Sequence, residues 1–100
     1  MAISSQDRIA KLEKERIVIE DELKTITENL WYFESSQLKY DEQISALESK
    51  SLKSELDMKG ELFLKKIRND LIERISNLSA LRLVKVARID KINKELKRVY

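Results

Sequence analysis

Cysteine, histidine and proline are absent from this chain of 100 residues, and glycine occurs once, at Gly60. Without cysteine there is no disulfide framework and no thiol chemistry, an inventory that suits an intracellular setting, cytoplasmic or nuclear. Losing histidine and cysteine together removes the usual general base, the thiol nucleophile and most zinc ligands. With no proline and one glycine, the turn chemistry of a sheet protein is missing too. Leu, Ile, Lys, Glu and Ser dominate instead, the profile of long helices. No apolar run approaches the length of a membrane span. The start, Met1-Ala2-Ile3-Ser4-Ser5, lacks the charged-then-apolar order of a signal peptide.

What the chain has in quantity is charge, 38% of its residues, with a net value of only +2. The near-neutral sum conceals a division. Residues 1–50 carry seven Lys/Arg against eleven Asp/Glu, and residues 51–100 carry thirteen against seven. Halves of opposite sign favour folding the second back along the first, or antiparallel pairing between chains, over an in-register parallel dimer.

A heptad pattern organises the first half. With Ile9 at position a, the a and d sites up to Leu47 read Ile9, Leu12, Arg16, Ile19, Leu23, Ile26, Leu30, Phe33, Gln37, Tyr40, Ile44 and Leu47. Only Arg16 and Gln37 are polar, so the rest form a coiled-coil seam for a partner helix. The two polar sites are candidates for fixing register or partner choice, since a polar a position excludes misaligned pairings at a cost in stability. Ser4 and Asp7 form a Ser-x-x-acid box that starts the helix, and Glu20 and Lys24 are spaced as a favourable i,i+4 pair.

Beyond Leu47 the heptad fails and a second apolar stripe begins. It comprises Phe63, Leu64, Ile67, Leu71, Ile75, Leu78, Leu81, Val86, Ile89, Ile92, Leu96 and Val99. At about 100° per residue these side chains span an arc of roughly 140°, wider than a two-stranded seam, which implies more than one neighbour. On one unbroken helix the first seam would end pointing near about 220° and the second stripe would centre near about 60°. One partner lying along a single edge cannot serve both, so the chain must turn or branch.

Two interruptions are available. One is the Ser-rich stretch 48–54, followed by a second Ser-x-x-acid box, Ser54 to Asp57; the other is Gly60. A turn at 50–53 leaves arms of nearly equal length, 5–49 and 55–99. The chain therefore reads as residues 1–49, an N-terminal heptad helix; 50–60, a turn or hinge; and 61–100, a basic amphipathic helix. The fold expected is an all-α, long-helix coiled coil: an antiparallel helical hairpin assembling into a dimeric or heteromeric bundle. Its alternative is one continuous helix of about 95 residues in an extended coiled coil.

The stretch Leu30-Trp31-Tyr32-Phe33 shows why one interface is insufficient. Leu30 and Phe33 belong to the seam, whereas Trp31 and Tyr32 fall at b and c, turned away from it. Ile17 and Leu38 share the b position with Trp31, so a second interaction face, Ile17, Trp31, Tyr32 and Leu38, runs up the back of the helix. This face is expected to meet another helix, the chain's own C-terminal arm or a different protein.

Catalysis is not expected. The acidic runs Glu20-Asp21-Glu22 and Asp41-Glu42 diverge by about 100° per residue on a helix, and no spacing resembles a calcium loop. Neither a cofactor site nor a metal site is indicated. The C-terminal cations Arg82, Lys85, Arg88, Lys91, Lys94, Lys97 and Arg98 outnumber Asp90 and Glu95 and wind round the helix as a collar. They balance the acidic first arm or contact an acidic partner, with the phosphate backbone of nucleic acid as one candidate. The pattern is similar to small coiled-coil subunits of scaffolding and tethering complexes, a likeness of composition and heptads that transfers no functional residue. The expected role is a non-enzymatic oligomerisation and protein-interaction module, pairing with itself, as a dimer first, or with a helical partner.

Overall fold

The structure, a computed structural model, describes residues 4–99. Two α-helices, α1 (Ser5–Glu48) and α2 (Glu55–Val99), form an antiparallel hairpin. The alternative of one continuous helix is not what the chain adopts. No helix among the described residues is long and apolar enough to cross a membrane.

Each helix start is set by a serine. The Ser4 hydroxyl accepts from the Asp7 amide at 3.2 Å. At α2 the box closes in both directions, Asp57 N donating to Ser54 Oγ at 3.0 Å and Ser54 N to Asp57 Oδ2 at 3.1 Å. Two otherwise orphaned amides are satisfied reciprocally, which defines where α2 begins.

The end of α1 is made differently. Among the described residues no side-chain-bearing position has positive φ, so α1 stops without a left-handed residue. Its last carbonyls are taken instead by Ser49 N and Ser49 Oγ, both donating to the Ser45 carbonyl, and by Lys50 N donating to that of Leu47. Lysines then hold the bend. Lys50 reaches Asp57 at 3.0 Å, Lys53 reaches Glu61 at 3.2 Å, and Lys65 joins Glu61 to Glu48 of α1. Gly60 lies inside α2, in open space and without positive φ.

The chain forms two compact units. The terminal unit joins α1 through Glu28 to α2 from Ser79; the turn unit is Asn29–Leu78. In the terminal unit Leu12, Ile19, Ile92 and Leu96 make the buried core, with Ile9, Leu23 and Ile89 packed against it. In the turn unit Leu30 and Ile44 are buried, while Phe33, Gln37, Tyr40 and Leu47 are half-buried. The stripe of α2 is narrower than its sequence spacing suggests. Leu64, Ile67, Leu71, Ile75 and Leu78 are half-buried, but Phe63, Leu81 and Val86 are exposed. One neighbouring helix covers only the middle of a wide arc.

Candidate interaction surfaces

The a and d residues from Ile9 to Leu47 all lie buried or half-buried inside the hairpin. In the terminal unit this face of α1 packs on Ile89, Ile92 and Leu96 of the same chain. Arg16, half-buried within this seam, donates from Nη1 to Asn93 Oδ1 at 3.0 Å and lies 3.9 Å from Glu20. Glu20 therefore pairs with Arg16, one turn before it, and not with Lys24. Gln37 is half-buried in the turn unit.

Opposite charges align the two helices. In the terminal unit Arg8 pairs with Glu95, Glu15 with Arg88, and Glu22 with Lys85. In the turn unit Asp41 faces Arg68 and Glu48 faces Lys65, while the Arg74 guanidinium sits 5.9 Å from the centre of the Phe33 ring. Partner numbers fall in α2 as they rise in α1, the signature of antiparallel pairing. The Glu15–Arg88 pair is bidentate, both bonds 2.8 Å, the geometry in which a guanidinium matches a carboxylate best. Hydrogen bonding to Arg88 holds the Glu15 carboxyl below its usual range, and the same bond raises the Arg88 pKa. Near the turn, the Ser54 amide holds the Asp57 carboxyl low, and Lys65 with Lys53 does so for Glu61.

The proposed second face is open. Ile17, Trp31, Tyr32 and Leu38 are all exposed, Trp31 to 71%. Neither helix of the hairpin covers them. Leu52, which shares the b position in the heptad frame, stands in the linker at 89%, and sequence reasoning missed further members: Leu56, Leu62, Leu83 and Val84 are exposed as well. The signal for these was the hairpin itself, since a helix with one neighbour leaves every apolar residue off that side in water.

Two surfaces stand out, one in each unit. In the turn unit, Trp31, Glu34, Leu38 and Glu42 follow at steps of three and four on the outer side of α1, all exposed, and form an acidic ridge with two apolar anchors. In the terminal unit, Val18, Ile19 and Val84 floor an open groove of about 700 Å³ between the helices, rimmed by Lys11, Lys14, Lys85 and Arg88. The groove's acids, Glu15 and Glu22, are paired with Arg88 and Lys85. Lys11 and Lys14 make no ion pair among the described residues.

Of the C-terminal cations, Lys85, Arg88 and Lys94 are ion-paired within the chain, the last to Asp90. Arg82, Lys91, Lys97 and Arg98 form no ion pair among the described residues. Fold and surface together define a two-helix antiparallel hairpin with an incompletely covered apolar exterior. Comparisons with protein-family models, curated proteins and solved structures find no match for this chain.

Proposed function

We propose that the chain is a non-catalytic helical interaction module, a structural subunit whose outer apolar side chains are covered by a second helical surface. The observation that carries this reading is the imbalance of burial. Among the described residues seven apolar side chains are buried and fifteen large ones are exposed. A standard interface removes roughly 800 Å² per partner, and the exposed apolar side chains of each unit are what such an interface would cover.

The residue inventory supports a binding role over an enzymatic one, since neither histidine nor cysteine is present. A cysteine-free chain also suits a cytoplasmic or nuclear setting. The test is the concentration dependence of thermal unfolding and of solution mass. Association linked to folding makes the melting temperature rise with protein concentration. A chain that melts cooperatively and independently of concentration as a monomer would overturn this reading.

Arg82, Lys91, Lys97 and Arg98, the C-terminal cations of α2 with no ion pair among the described residues, support a second reading, in which this end contacts phosphate backbone. Titration with duplex DNA or RNA at rising salt checks it. Binding through these cations should weaken steeply with salt, and absence of binding at low salt would remove it.

A further inference from the structure

Resting on the interaction reading above, we infer that the occupant of the terminal-unit groove is a second copy of this chain, which inserts its Trp31–Leu38 ridge. The two surfaces are complementary in chemistry. The groove offers an apolar floor, Val18 and Val84, beside two cations, Lys11 and Lys14, that make no ion pair among the described residues, although Lys11 acts on Glu15 at a distance. The ridge offers two apolar anchors, Trp31 and Leu38, and two carboxylates, Glu34 and Glu42, which likewise make no ion pair among the described residues. Seven helical positions separate the anchors, about 10 Å along the axis, so both can sit over apolar floor while the carboxylates reach the rim. An indole is the side chain that gains most from such a seat, since it buries a large area at little entropic cost. Placing acidic against basic surface also disfavours ridge-on-ridge and groove-on-groove pairings.

The experiment uses two charge-reversed full-length chains, K11E/K14E and E34K/E42K. The exchanged side chains make no ion pair among the described residues, and circular dichroism checks that helix content is kept. Wild type should dimerise by light scattering, with the emission of its single tryptophan shifting as the indole leaves water, and should dissociate as salt rises. Each reversed chain alone should dimerise at least about tenfold more weakly. In an equimolar mixture, the reversed groove of one chain meets the reversed ridge of the other, and dimerisation should return. A monomeric wild type would overturn the inference. A wild-type oligomer that neither reversal weakens would also overturn it, yet would leave the interaction reading standing. Two weakened chains whose mixture stays monomeric would sink the pairing as assigned.

Discussion

At the scale of single residues, the hairpin depends on very few fully enclosed side chains. Ile92 is 0% exposed and Ile44 2%. Truncating Ile92 to alanine removes buried methyl groups from a core of four residues, at a cost of about 2–5 kcal/mol. Denaturant unfolding of Ile92→Ala should show the midpoint falling without recovery at higher salt. Gly60 is the opposite case. It carries the entropic penalty of a helical glycine although its φ is not positive and nothing lies within 4 Å of where a Cβ would stand. Gly60→Ala should therefore stabilise the hairpin by about 0.5–1 kcal/mol, read as a higher melting temperature.

The carboxylates set the pH response. Glu15, Asp57 and Glu61 are held low by their hydrogen bonds in the folded chain. Groups with depressed folded values contribute stability that is fully present above their unfolded values, near about 4, and lost as pH falls through the folded ones. The melting temperature should be flat from neutrality down to about pH 5 and drop below about pH 4. A melting temperature unchanged in acid would show that these bonds contribute nothing.

At the scale of the element, the start of α2 is the most sharply specified point. Ser54→Ala removes the hydroxyl that accepts from Asp57 N and leaves the backbone amide of residue 54 on Asp57 Oδ2; it should cost about 0.5–2 kcal/mol, measured by thermal unfolding, with the first turn of α2 losing amide protection in hydrogen exchange. The Ser-x-x-acid box after the failing heptad marked this start in the sequence, but the division into a turn at 50–60 and a helix from 61 did not follow it: residues 55–60 already belong to α2. Which side of α1 packs was legible too, since the apolar a and d positions from Ile9 to Leu47 leave little freedom; what lies on it was not, because the heptads point to a seam with another chain, whereas in the terminal unit it packs on Ile89, Ile92 and Leu96 of α2. Phe63, Leu81 and Val86 were not legible. Their spacing fits the stripe, and only the presence of one neighbour rather than two decides that they stay in water. The cross-helix pairs were hidden for a related reason. Glu15 and Arg88 are far apart in sequence, and only a fixed turn makes opposite charges at matched distances from it meet.

At the scale of the whole molecule, the outer side chains dominate. The heptad frame places Trp31, Tyr32 and Leu38 on an outer face, and their exposure in the hairpin follows from the same periodicity. What covers them could not be read from periodicity, since a back face is defined relative to one seam and carries no address for a partner. Replacing Trp31 with alanine should leave helix content and the melting of the dilute chain nearly unchanged, because the ring is 71% exposed there. The same replacement should weaken association at high concentration, read as a lower mass by light scattering. Equal masses for both chains would mean that the indole has no part in assembly.

The bend itself has a further consequence. Residues 49–54 include no glycine or proline, and the fold-back is clasped by Lys50, Lys53 and Lys65 on acids of α1 and α2. A clasp made of charge loosens under brine, whereas a clasp made of backbone shape does not. Once the clasp is released the bend loses its lock, so amide protection in the turns on either side of residues 49–54 should fall as the solvent's ionic content rises.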